Sequence, residues 1–296
     1  MLPVIQPGPP AAGPPPFERI AIVGLGLIGG SLALAIRQRW SGGLIIGVDR
    51  KDVLEAAMRV HVADVAADDL GVISGADLVV LAAPVRQNIA LLPEVSDFVG
   101  DAIVTDVGST KTDILRHADT LPARATFIGG HPLAGAAAGG LTSARPDLFE
   151  GRPWLLTTPA PEPALEKLET LIRWLGASPV RIDAAAHDQL LASLSHLPQL
   201  AVSALLHVVG ERAGAEGLAL AGRGLRDTTR LASSPPGIWC DIAATNAPAI
   251  EEALDALIDV LQKLRADLRT GDVLQRIFES AGEWKAVLDG GTRERR

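Results

Sequence analysis

The stretch FIGGHPLAG, residues 127–135, sets a histidine directly after an apolar run and two glycines. An imidazole has an ordinary pKa of about 6.5, so it can take or give a proton near neutrality. If the apolar run is a buried strand, His131 stands in the loop at its tip, either inert or acting as a general base. Upstream, TDVGSTK (105–111) puts Ser109 just after another apolar run. That hydroxyl is either the N-cap of a helix beginning in TKTDIL or a hydrogen-bond partner for a substrate hydroxyl or the imidazole. In GLRDTTR (224–230), Arg226 and Arg230 lie four apart and share a face if the segment is helical. They either pair with surface acids such as Asp227 or form a fork for a carboxylate, which the planar guanidinium suits.

A second kind of chemistry is written in IAIVGLGLIGGSLALAIR, where Gly24, Gly26 and Gly29 have G-x-G-x-x-G spacing around Leu27 and Ile28. The motif follows a strand-like run, opens a helix-like one, and is followed 20 residues after Gly29 by Asp49 at the end of the next strand. Gly24 permits a tight turn, Gly26 lets backbone approach a pyrophosphate, and Gly29 allows close helix–strand packing. The helix N-terminus attracts the phosphate charge. Asp49 would accept hydrogen bonds from ribose hydroxyls and repel a 2′-phosphate, while Arg50 beside it could attract one. NAD is therefore expected ahead of NADP. In an open α/β sheet ligands sit beyond the carboxyl ends of the strands, where Ser109 and His131 also fall. A neutral imidazole there can take an alcohol proton as hydride leaves the same carbon.

The elements that must position these groups are readable from apolar runs. RIAIVG (19–24), LIIGVD (44–49), DLVVLAAP (77–84), AIVTDVG (102–108), ATFIGG (125–130), WLLTT (154–158) and PVRI (179–182) read as buried strands separated by helix-length segments. Continuous apolar strands of this kind imply a parallel sheet covered on both faces. The fold class is thus a Rossmann-like doubly wound α/β domain over 18–183, followed by an all-α domain over 184–296. Residues 1–17 are proline-rich and read as a disordered tail without signal-peptide character. Pro198 falls inside a long helical stretch and predicts a kink beside His196. Ile250, Leu254, Leu257, Leu261, Leu264 and Leu268 follow near-heptad spacing, with Asn246 as a plausible N-cap, and suggest a seam used within the chain and in a homodimer.

The 296 residues carry a formal net charge of −8, which argues against nucleic acid or an anionic membrane as the main partner. An anionic ligand must then be held by placed arginines. A single cysteine, Cys240, leaves no disulfide framework and no cysteine metal cluster, and it reads as packing. No metal site is expected. No apolar run approaches the ~18 residues of a membrane span, so a cytoplasmic protein is the default.

Taken together, GLGLIGGSLALA, DVGSTK, GGHPLAG, DLFEGRPWLLTTP, SHLPQ and RDTTRLASSPPGIWCDI resemble, in order, the prephenate/arogenate dehydrogenases of tyrosine biosynthesis, over roughly residues 18–285. The resemblance implies a nucleotide domain joined to a helical dimerisation domain, and a small-molecule substrate, prephenate or arogenate. By it, His131 is the base that accepts the ring C4 hydroxyl proton, and Ser109 bonds that hydroxyl and the histidine. Arg230 clamps a substrate carboxylate, while His196, Gln199 and Trp239 line the pocket. Gln199 stands where some prephenate-specific members carry a second histidine, which leaves prephenate and arogenate both open, as well as a dual cyclohexadienyl enzyme. A β-hydroxyacid-type dehydrogenase would use a helical lysine as base, yet after residue 180 only Lys263 and Lys285 occur, both in ordinary amphipathic stretches. A non-catalytic NAD-sensing protein would need neither the histidine nor the arginine.

Overall fold

The computed structural model describes residues 14–40, 42–136 and 138–290. Most of the proline-rich tail lies outside the described residues. Its end does not: Phe17 is fully buried, with Lys167 Nζ 4.5 Å from its ring centroid.

Residues up to Ala247 form one compact unit and those from Pro248 another. The first begins with β1 (Arg19–Val23), α1 (Leu27–Arg39), β2 (Leu44–Val48), α2 (Lys51–Arg59), β3 (Val65–Ala67), β4 (Leu78–Leu81), α3 (Val85–Phe98), β5 (Ile103–Asp106), α4 (Thr112–His117) and β6 (Thr126–Ile128). These six strands make one parallel sheet in the order β3-β2-β1-β4-β5-β6. The order reverses between β1 and β4, which opens a crevice at their carboxyl ends. Alternate residues explain the unbroken apolar runs. Ile20 and Ile22 of β1 enter the core on one face with Leu32 and Ile36 of α1, whereas Ala21 and Val23 enter the other with Leu92 and Val95 of α3.

Not all seven expected strands join that sheet. A second, three-stranded sheet holds β7 (Gly130–Pro132), β8 (Pro153–Thr158) and β9 (Ser178–Asp183), with α5 (Glu162–Trp174) between the last two. β7 runs antiparallel to β8, which is parallel to β9. Gly129 and Gly130 make the step from one sheet to the other. A Cβ on Gly130 would lie 2.5 Å from the Asp106 carbonyl oxygen and 3.1 Å from Trp154 Nε1, so only glycine passes there. His131 is consequently on a strand, paired with Leu155, rather than at a loop tip.

After β9, α6 (Ala184–Leu191) runs through a π-turn at 192–196 into α7 (Leu197–Ala219). The irregularity expected at Pro198 takes this form, because a π-turn absorbs the backbone bond that proline cannot make. The resulting helical run, Ala184–Ala219, is long and apolar enough to cross a membrane, contrary to the reading of separate short runs, and only 17% of its apolar window is buried. α8 (Arg223–Thr228) and α9 (Pro236–Thr245) complete the unit. Arg230 begins a separate 3₁₀ turn after α8, so it does not share a helix face with Arg226. Cys240 is exposed rather than packed.

The second unit consists of α10, which runs Ala247–Asp267, and α11 (Asp272–Leu288), joined by a short connection. Asp267 Oδ2 accepts the backbone N–H groups of Val273 and Leu274 at 2.7 and 2.9 Å, capping α11. Leu261 and Leu268 of the heptad seam are exposed.

The tightest constraint on the nucleotide turn is at Gly29, where an added Cβ would sit 1.9 Å from the Gly24 carbonyl oxygen. Gly29→Ala is expected to push α1 off β1 and cost about 1–3 kcal/mol, as overpacking does. A thermal or urea midpoint equal to that of the unaltered protein would contradict this.

Candidate active site

The crevice at the strand ends is a cleft of about 1080 Å³ lined by Gly24, Gly26, Asp49, Arg50, Ala83 and Pro84, among others. Gly24 has φ +100°, and a Cβ there would meet Ala82 backbone at 2.7 Å. At Gly26 a Cβ would meet no described atom within 4 Å, so the space before the turn is open. α1 begins without a side-chain cap and without an acidic residue in its first turn, which leaves its first N–H groups for an anion. Asp49 Oδ2 accepts the Leu25 N–H at 2.6 Å and Oδ1 that of Arg50 at 2.7 Å. A carboxylate has about four acceptor positions, so it retains capacity for ribose hydroxyls. The Arg50 side chain is exposed and lies 3.6 Å from Asp52. These residues fit a dinucleotide.

A second cavity, of about 720 Å³, is lined by Leu27, Ile28, Ser109, His131, Ser195 and Trp239, with mostly apolar neighbours. Ser109 is not a helix cap: the cap position of α4 is Lys111, and the Asp188 carboxylate accepts the N–H groups of Lys111 and Thr112, each at 2.8 Å. Its hydroxyl bonds to none of the described residues.

Two buried carboxylates assemble this wall. Asp106, at the end of β5, accepts from Gly130 N at 3.0 Å through Oδ1 and from Gly108 N at 2.8 Å through Oδ2. The latter oxygen also receives Lys111 Nζ in an ion pair with both side chains fully buried. Asp106 therefore fastens the strand carrying His131 to the loop carrying Ser109. Asp188, early in α6, adds the α4 cap described above and accepts from His187 Nδ1 at 2.8 Å. His187 Nε2 in turn lies 2.9 Å from His131 Nδ1. Thr110 and Thr245 share a hydroxyl hydrogen bond of 2.7 Å, tying the same loop to α9, which bears Trp239.

Burial lowers the His131 pKa well below 6.5, and the neighbouring His187, Lys111 and His196 act in the same direction. The ring is neutral at neutral pH. His196 falls to about 4, chiefly through burial. Burial works to raise Asp188, but hydrogen bonds from His187, Thr112 and Lys111 outweigh it and hold the carboxyl below its ordinary value.

The remaining expected site residues are placed differently. His196 is buried, its Nδ1 3.3 Å from Asn246 Nδ2 and its ring edge-on to Trp239 with centroids 6.2 Å apart. Asn246, expected as an N-cap, directs its amide to His196 and to the Asp188 carbonyl. Gln199 is buried and bonds Leu231 O at 2.8 Å, Ser203 Oγ at 3.3 Å and Ser234 Oγ at 3.2 Å, holding α7 to the turn after α8. Arg230 is exposed on that turn. None of His196, Gln199 and Arg230 belongs to the cavity lining around His131. Sequence reasoning missed Asp106, Lys111, His187 and Asp188. The signals available were the charged ends of TDVGSTK and the His-Asp pair just inside a helix start.

Residues 32–182 match the family described as the prephenate dehydrogenase nucleotide-binding domain, and residues 183–280 the prephenate dehydrogenase dimerization domain. Prephenate dehydrogenase of Bacillus subtilis is 36% identical over 284 residues, covering 92% of this chain and 76% of that protein. Among solved structures, prephenate dehydrogenase from A. aeolicus in complex with hydroxyphenyl propionate and NAD+ superposes with TM-score 0.83 at 25% identity, covering 91% of this chain and 98% of that one. Synechocystis arogenate dehydrogenase gives TM-score 0.74 at 32% identity, with coverage of 90% and 99%. Likeness that runs through both halves of the sequence, from the parallel sheet to the helices after it, settles the kinship: the chain belongs to the prephenate dehydrogenase family of oxidoreductases.

Proposed function

We propose that the protein oxidatively decarboxylates prephenate to 4-hydroxyphenylpyruvate with NAD in tyrosine biosynthesis, as a cytoplasmic homodimer. The observation that carries this reading is the lining of the second cavity: His131 and Ser109 share it with Leu27 and Ile28 of the nucleotide turn. A base and a dinucleotide turn on one cavity wall are what removal of a proton and a hydride from one carbinol requires. Bound NAD would supply the hydride acceptor. Gly24, Gly26, Leu27, Ile28 and Gly29 would hold its pyrophosphate region, and Asp49 its ribose, with the exposed Arg50, paired to Asp52, beside it on the cleft wall.

His131 takes the C4 hydroxyl proton, and Ser109, with no other partner among the described residues, orients that hydroxyl. The ring carboxylate departs as CO2 and the ring becomes aromatic, so the protein need mainly align C4, remove one proton and exclude water. Arg230 is assigned to a substrate carboxylate. It opens the turn whose next residues reach Ser234 on the cavity wall. Trp239 borders the substrate, while His196 and Gln199 support that border from behind. Arogenate is the second reading, favoured by Gln199 in place of a histidine. The exposed apolar side chains Leu205 and Val208 of α7 are assigned to a second copy of the chain rather than to a membrane, consistent with a dimerization domain over 183–280.

Purified protein assayed with prephenate and arogenate, each with NAD and NADP, is expected to reduce NAD fastest with prephenate. Turnover with arogenate alone would transfer the assignment, and no turnover with either would end it. His131→Ala should lower kcat by ~10²–10⁴ with dinucleotide affinity retained; near-normal turnover would remove it from the chemistry. Arg230→Ala should raise KM roughly 10- to 100-fold, the worth of one charge-assisted contact, and an unchanged KM would reassign the residue to structure. Because the base must be unprotonated and its pKa is lowered, activity should persist as pH falls through 6.5 and fail only below it. An acidic limb of kcat/KM at or above 6.5 would contradict this.

A further inference from the structure

The geometry points to His187 and Asp188 as positioning residues that fix which nitrogen of His131 carries its hydrogen, leaving Nε2 as the bare acceptor. This rests on the reading of His131 as the base, but its structural part stands alone. The deduction runs inward to outward along one buried chain. Asp188 Oδ1 and Oδ2 already accept two backbone N–H groups, those of Lys111 and Thr112, at 2.8 Å. A carboxylate so placed is ionised and can only accept. His187 Nδ1, 2.8 Å away, must therefore be a donor and carry a hydrogen.

The state of His187 Nε2 then follows from charge. A doubly protonated ring would place a second cation in a fully buried network that already contains the Lys111 ammonium. The anion beside it, Asp188, already accepts the Lys111 and Thr112 N–H groups and also acts on the Lys111 ammonium, while Asp106 is committed to Lys111. A second buried cation would therefore be only partly compensated for its desolvation. With His187 neutral, its Nε2 has a lone pair and can only accept. His131 Nδ1, 2.9 Å from it, must be the donor. A neutral imidazole has one N–H, so His131 Nε2 is left without a hydrogen. Without such a partner a histidine is free to put its hydrogen on either nitrogen, and only one of the two states is a base at Nε2.

The same chain serves the step after proton uptake. When Nε2 takes the substrate hydroxyl proton, the O–H bond breaks, an Nε2–H bond forms, and His131 becomes cationic. Its Nδ1–H still donates to His187, whose other face donates to the Asp188 carboxylate. The new positive charge thus meets a fixed negative charge through one neutral ring, in a site too dry for water to do so. The groups acting on His131 are His187 from α6, Lys111 from the loop before α4, and His196 from the π-turn, with Asp188 behind His187.

The test uses full-length protein labelled with ¹⁵N-histidine, read by long-range proton–nitrogen correlation near neutral pH. The expected pattern is a hydrogen on Nδ1 of both His131 and His187, with Nε2 of each bare. A hydrogen on His131 Nε2, or a doubly protonated His187, would overturn the proposal without any reference to substrate. In His187→Phe, with a melting curve and dinucleotide affinity confirming the fold, His131 is expected to gain an Nε2–H population. In that variant kcat should fall at least about tenfold with KM little changed, less than the loss for His131→Ala. His187→Gln, whose amide oxygen can accept from Nδ1, should recover part of that kcat. A folded His187→Phe protein with unaltered His131 signals and kcat would refute the positioning role. Correct signals in a protein that turns over neither prephenate nor arogenate would instead refute the proposed function alone.

Discussion

A carboxylate with no access to water must be paired, and in this protein that requirement builds the site. Asp106 is fully buried at the end of β5, and it receives Lys111 together with the N–H groups of Gly108 and Gly130. Removing one partner of such a pair typically costs about 3–5 kcal/mol, because the survivor is left charged and unsolvated. The pair thus locks the path of the loop after β5 and the position of β7 together. Ser109 and His131 sit on those two segments, so their shared cavity is a consequence of one ion pair.

Asp188 extends the same logic into the helices. It caps α4, bonds His187, and offers its main-chain carbonyl to Asn246. An isolated helix as short as α4 is marginal, and a buried carboxylate on its first N–H groups supplies what local propensity does not. His131 and His196 are held neutral by their burial rather than charged by it. A net charge of −8 over the chain has little part in that outcome, since at short range in a dry interior the local partners dominate.

The strands β1, β2, β4 and β5 were legible because both of their faces are buried, which leaves an unbroken apolar run. β3 and β7 were not: the short VAA of β3 is only partly buried and stands out from nothing around it, and β7 follows β6 after a single glycine, so the two read as one run. The glycine turn was legible because backbone approach excludes any Cβ at Gly24 and Gly29. His131 stood out for the same reason, preceded by two glycines that a crowded crossing demands. Arg226 and Arg230 misled, because four-residue spacing implies a shared face only if the helix continues, and α8 ends at Thr228.

From the order of its residues alone, this protein's nucleotide turn, its parallel sheet and its apolar helices were determined, and His131 was singled out, since each depends on neighbours a few positions apart. Tertiary structure decided what surrounds that imidazole. His187 lies 56 residues from His131, and Asp188 lies 77 from Lys111. Contacts across such separations leave no periodicity, because they arise where separate elements converge at the sheet's edge rather than along any one of them.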